Sequence, residues 1–170
     1  MSSYLHEVRY GVLVALATLG WNSLEYAVGL HTKYIAYHPL LTNLYFVIPV
    51  FLMWRALEHR RDVLEKGRLD WWQGLTSGMV ISVVAGALGA PSTWVFIRFV
   101  NPKFFSTMIE FSVERGYYQR VDHAEAYYNF AGYAIQSTLM PIVFGVFASA
   151  ILTAIARWQI ERRTKTPTAS

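Results

Sequence analysis

Four stretches of this chain are too long and too apolar for an ordinary soluble fold, and they constrain everything else. They cover about residues 10–30, 40–57, 74–100 and 129–158. A helix needs roughly 20 mostly apolar residues to cross about 30 Å of hydrocarbon. The second stretch is the shortest, and the fourth is long enough to tilt or to emerge from the bilayer. The expectation is an all-α chain, an integral membrane four-helix bundle forming one domain over residues 1–170. A polar tail, 159–170, closes it. Only 15% of the residues are charged, against about 25% in soluble domains. Cysteine is absent, which excludes disulfides and thiolate chemistry.

Charge sets the expected orientation. Arg9, then Arg55, Arg60, Arg61, Lys66 and Arg68, then Arg157, Arg162, Arg163 and Lys165 fall on one side of the four spans. Lys33, Arg98, Lys103, Arg115 and Arg120 fall on the other. The first set outnumbers the second, so the loop 58–73 and both termini are expected to face the cytoplasm of a bacterial inner membrane. Trp54, Trp71, Trp72 and Trp158 gather near that inner boundary, where amphipathic rings prefer to sit. Glu7 and Arg9 precede the first run, which continues into a full span, so no cleavable signal is expected. The net charge of +4 resides beside apolar runs. It implies a lipid bilayer as partner and does not suggest nucleic acid.

The segment between spans three and four carries its own pattern. Asn101 suits an N-cap, and Pro102 suits the first helical position. Phe104, Phe105, Met108, Ile109 and Ser112 then share a face, and Gly116 is a stop signal. An additional amphipathic helix is expected over about residues 102–115, either flat on the outer membrane surface or packed over the mouth of the bundle. Asp122-His123-Ala124-Glu125 resembles a capping box, from which the fourth helix would run straight into the bilayer.

Inside the spans, polar residues stand out. Thr18, Asn22, Glu25 and Gly29 recur at spacings of four, three and four, so one inward-facing helix side is expected to hold them. Glu25 would lie about one and a half turns from the outer boundary. Arg98 and Gln136 reach the same depth and are its candidate partners. Asn22, Glu25, Arg98 and Gln136 therefore form a candidate binding cluster, either structural or functional. Span three holds Gly74, Gly78, Ser82, Gly86 and Ala90 at every fourth position. Small residues let helix backbones approach closely, so this is a packing face, toward the same chain or toward a second one. Gly145, Ser149 and Thr153 repeat it more weakly in span four. Pro49, Pro91 and Pro141 each fall inside a span, where proline bends a helix.

Chemistry is otherwise scarce. His31, His38 and His123 raise the question of a metal. Pro39 makes a shared helix face for the first two doubtful, and no HExxH or Cys/His cluster is present. No metal site and no cofactor are expected on that basis. Nucleophile elbows, phosphate loops and dinucleotide fingerprints are absent, so no enzyme is expected.

The layout resembles the bacterial membrane family called domain of unknown function 4199. The resemblance covers nearly the whole chain. It rests on Leu24-Glu25-Tyr26 at the end of the first span, Pro39 opening the second, and Gly67 with Trp71-Trp72-Gln73-Gly74 entering the third. Asn101-Pro102-Lys103-Phe104-Phe105 and Tyr133-Ala134-Ile135-Gln136-Ser137, running through Gly145 into a basic tail, complete it. It implies a multi-pass inner-membrane protein without an assigned activity, and it carries over no catalytic residue. Two readings follow. One is a non-enzymatic subunit, scaffold or regulator acting through helix packing, as a homo-oligomer or with a partner membrane protein. The other is a small transporter or channel that uses the polar cluster around Glu25.

Overall fold

A computed structural model describes residues 4–165. The described chain is helical, with no strand among the described residues. α1 spans Leu5–Ala27, α2 His38–Leu41, α3 Val47–His59, α4 Trp71–Ala87 and α5 Gly89–Val95. α6 spans Phe104–Glu114, α7 Val121–Tyr127 and α8 Phe130–Lys165. Two 3₁₀ segments, Ile35–Tyr37 and Thr42–Phe46, flank α2. Two π-helical turns, Arg60–Leu64 and Phe96–Val100, prolong α3 and α5. Residues 166–170 of the expected polar tail lie outside the described residues.

Three helical stretches are long and apolar enough to cross a membrane, with short breaks inside the second and third: Ile35–Leu64, Trp71–Val100 and Val121–Arg162. α1 has 23 residues and packs against α3, α4 and α5. Glu7, Arg9, Asn22 and Glu25 dilute its apolar character, which sets it apart from the other three. Many large apolar side chains are left uncovered: Leu16, Phe51, Phe147 and Ile151 are each more than half exposed. Such a surface suits hydrocarbon and would be a liability in water.

Prolines act according to their position. Pro49 falls in the first turn of α3, where its missing N–H breaks no established ladder. Pro91 interrupts span three. Its ring crowds the carbonyl four residues back, that of Ala87, where α4 ends and Leu88 separates it from α5. Pro141 lies within α8, which continues through it.

The small-residue stripes of spans three and four meet each other. A Cβ built on Gly78 would lie 2.1 Å from Ser149 Cβ, and one on Gly74 would lie 2.5 Å from Thr153 Cγ2. From the other side, a Cβ on Gly145 would lie 2.4 Å from Ser82 Cβ. Gly86 meets the Thr138 carbonyl in the same way. The stripe therefore packs within the chain, along the α4–α8 seam. It does not run on to Ala90, which the Pro91 break shifts into α5 and leaves half-buried. Gly89 takes over the close approach there, against the Ser137 backbone. α1 closes on α4 through Gly11, whose added Cβ would fall 2.6 Å from Val84 Cβ. Val14, Met53, Leu57, Ile81 and Leu152 fill the core between these helices.

At the N-terminal end of α1, Glu7 and Arg60 are fully buried and paired, with the Ser77 hydroxyl donating to the same Glu7 oxygen at 3.0 Å. Arg60 also reaches Glu65 at 3.3 Å, and its guanidinium lies 4.5 Å from the Tyr4 ring centroid. This cluster locks α1, α3 and α4 together. Arg60 and Arg61, read from sequence only as loop charges, are both buried.

α6 begins at Phe104, two residues later than expected. Asn101 provides no side-chain cap, and its buried amide nitrogen has no partner among the described residues. Gly116 stops the helix as expected, at φ +73°, with Gly116 N–H donating to Val113 O and Tyr117 N–H to Ser112 O. Phe104, Met108 and Ser112 are buried. Phe104 stacks edge-on against Phe96 and Tyr133, so the helix packs over the end of the core. The fourth helix does not run straight in from Asp122. Asp122 pairs with Arg120 at 2.8 Å, α7 stops at Tyr127, and Asn129 Oδ1 caps the new helix α8 by accepting Gly132 N–H at 2.9 Å.

Candidate functional site

The site grows from the C-terminus of α1. Gly29 takes φ +84°, a conformation that costs a side-chain-bearing residue about 1–2 kcal/mol. Gly29 N–H donates to Tyr26 O at 3.0 Å and Leu30 N–H to Glu25 O at 2.8 Å, a Schellman closure. The chain is thereby turned back on itself. His31, six residues after Glu25, returns to the Glu25 carboxylate. Gly29 is consequently a turn residue beyond α1 and does not extend the Thr18, Asn22, Glu25 face.

Glu25 is buried, and its two oxygens have separate partners. Oε1 accepts the Trp21 indole N–H at 2.6 Å, one helical turn back. Oε2 faces His31 Nε2 at 3.3 Å and His38 Nε2 at 3.5 Å. His38 arrives through the 3₁₀ turn Ile35–Tyr37 and opens α2. The ligand atoms of Glu25, His31 and His38 all lie within 4.8 Å of one another. Around His31 the walls are aromatic: Phe96 and Phe104 present at centroid distances of 5.7 and 5.1 Å, and Tyr26 stacks at 6.4 Å. His31 Nδ1 is buried and has no partner among the described residues.

This is not the grouping expected from sequence. Neither Arg98 nor Gln136 is among the hydrogen-bond or ion-pair partners of Glu25. Arg98 lies in the π-helical turn Phe96–Val100. The inward side of α1 was legible, but the two imidazoles that meet Glu25 come from an irregular turn with no periodic signal. Two histidines ahead of Pro39, close after an acid and a glycine stop, were the available hint.

Asn22 and Gln136 belong to a second feature. A cavity of about 420 Å³ lies between α1, α3, α4, α5 and α8. Its wall is mainly apolar, including Val14, Phe46, Met140 and Phe144. Thr18, Tyr45, Asn22 and Gln136 bring polar groups to it. The Thr18 and Tyr45 hydroxyls are bonded to each other. Asn22 and Gln136 side chains make no hydrogen bond to another described residue. Gln136 and Met140 are exposed, so the cavity opens on the α8 side. Pro49 and Pro141 also line it, so two of the three prolines border this space.

Comparison with known proteins bears on the whole chain. Among curated proteins and among solved structures, nothing matches it. The family model described as "Protein of unknown function (DUF4199)" matches residues 9–157, nearly the whole chain, and the chain belongs to that family.

Proposed function

We propose that this chain is a non-enzymatic, multi-pass membrane protein that holds a slender, mainly apolar molecule between its helices. In this reading α1 is the fourth span. The positive-inside count supports an inner-membrane location with both termini cytoplasmic. The observation that carries the reading is the cavity. Its volume of about 420 Å³ is within the roughly 300–1,000 Å³ of small-molecule pockets. An apolar wall with a few convergent polar groups is the usual make-up of such pockets. Asn22 and Gln136 supply two amides that lack protein partners, which suits a ligand with one hydrogen-bonding headgroup. The opening beside Gln136 and Met140 suits lateral entry from the bilayer.

The packing reading has lost its main support, because the α4 stripe is occupied by α8 and offers no free groove. The transporter reading shares the cavity, but its polar element shifts from Glu25 to Asn22 and Gln136.

The test uses a long-chain alcohol carrying a photoactivatable diazirine, added to purified protein in nanodiscs. Labelling is expected on α8 around Met140. Ala85→Phe, which fills the cavity, should abolish it. Gln136→Leu should weaken binding about fivefold, the loss of one hydrogen bond of about 1 kcal/mol. Equal labelling of the wild type and both folded variants would overturn the proposal.

A further inference from the structure

The Glu25, His31 and His38 cluster is independent of the cavity, whose lining includes none of the three. Its distances are the first clue. A charge-assisted N–H···O bond in a buried site settles near 2.7–2.9 Å. Here two imidazole nitrogens face one carboxylate oxygen at 3.3 and 3.5 Å. A tetrahedral ion with ligand bonds of about 2.0–2.2 Å separates its ligand atoms by about 3.3–3.6 Å. Both measured edges match that spacing, and the third ligand-to-ligand edge is bounded at 4.8 Å.

The surroundings are the second clue. Trp21 occupies the other carboxylate oxygen, which fixes the group and leaves Oε2 to face the imidazoles. An outer partner of this kind orients a ligating carboxylate. Aromatic rings wall off His31, and a dry shell strengthens ligand–metal attraction. His31 has no other polar contact, since its Nδ1 is buried and unpartnered among the described residues. The side chain of His38 is 22% exposed, which leaves a side open for a fourth ligand such as water.

We propose that Glu25, His31 and His38 form a binding site for a zinc-type divalent transition metal at the C-terminal end of α1. Two imidazoles and one carboxylate suit zinc and its neighbours, and are poorly suited to the oxygen-seeking magnesium and calcium. The ion would staple the connection between α1 and α3 to the end of α1. Because the ligands bind as neutral imidazoles and a carboxylate, occupancy favours neutral pH.

The experiment uses full-length protein with a histidine-free affinity tag, purified in mild detergent and stripped with chelator. Zinc content after re-addition and dialysis, the visible spectrum with cobalt, and thermal stability with and without zinc are read together. The expected result is one tightly held zinc per chain, a tetrahedral cobalt spectrum, and a rise in unfolding temperature on zinc addition. His38→Ala, at the least buried ligand, should abolish all three while the apo protein stays helical by circular dichroism. Trp21→Phe should weaken zinc by about 10–100-fold, the usual effect of losing an outer-shell partner. His123→Ala, at an exposed histidine outside the cluster, should change nothing. Zinc binding unaffected by His38→Ala and Glu25→Gln, or no binding above a triple Ala control of the three ligands, would overturn the proposal. The cluster would then be a hydrogen-bonded structural group.

Discussion

Gly78→Ala adds a single methyl group, yet it should be among the most damaging small substitutions in the chain. The new Cβ would lie 2.1 Å from Ser149 Cβ. Carbon atoms rest about 3.5–4.0 Å apart, so α4 and α8 must separate locally by about 1.5–2 Å. Ser149 Cβ is fixed to its backbone and cannot rotate aside. A gap of only 0.5–1 Å already forfeits about a quarter to a half of each contact's dispersion energy. Overpacking costs of about 1–3 kcal/mol are typical, and the rigidity of this contact places it at the upper end. Alanine's better helix propensity returns about 1 kcal/mol, leaving a net loss of about 2 kcal/mol. Gly78→Ala with Ser149→Gly restores the space and should recover most of that loss. Thermal unfolding in detergent, followed by circular dichroism, measures each variant. Val83→Leu, on a half-exposed face, is the control and should be neutral. An unchanged midpoint for Gly78→Ala, or no recovery in the double variant, would refute the interlocked seam.

Glu7→Ala strands most of the buried Arg60 charge and should cost about 3 kcal/mol, the lower end of the range for breaking a buried pair, because Glu65 remains within 3.3 Å. Pairing it with Arg60→Met should recover stability in the same unfolding assay, and failure to do so would show that Arg60 matters through its other contacts. Topology is testable in this cysteine-free chain: an impermeant thiol reagent on intact cells should label Ser106→Cys and spare Arg68→Cys, and the reverse result would invert the orientation. Ser106 is the suitable position because Ser112, on the same helix, is fully buried.

Much of the architecture was legible before any coordinates. Length and hydropathy gave the helical class and three of the four expected membrane-length helices, because a helix in hydrocarbon must satisfy its own backbone hydrogen bonds. The small-residue period marked a packing face, and Gly116 marked a helix end through its tolerance of positive φ. Local chemistry was sufficient for these features.

What partners each face depended on the whole fold. The α4 stripe reads identically whether it meets α8 or a second protomer, and only the Gly78–Ser149 and Ser82–Gly145 approaches assign it to α8. Glu25 was visible as an anomaly, but its neighbours were not. Helical periodicity pointed across the spans to Arg98 and Gln136. The chain turns back at Gly29 and brings His31 and His38 to the carboxylate through an irregular segment. The buried Glu7–Arg60 pair is 53 residues apart in sequence and lies at the junction of three helices. Periodic patterns report which side of one helix is apolar. They carry no information on where a turn sends the chain, and in this protein the turns assemble the charged sites.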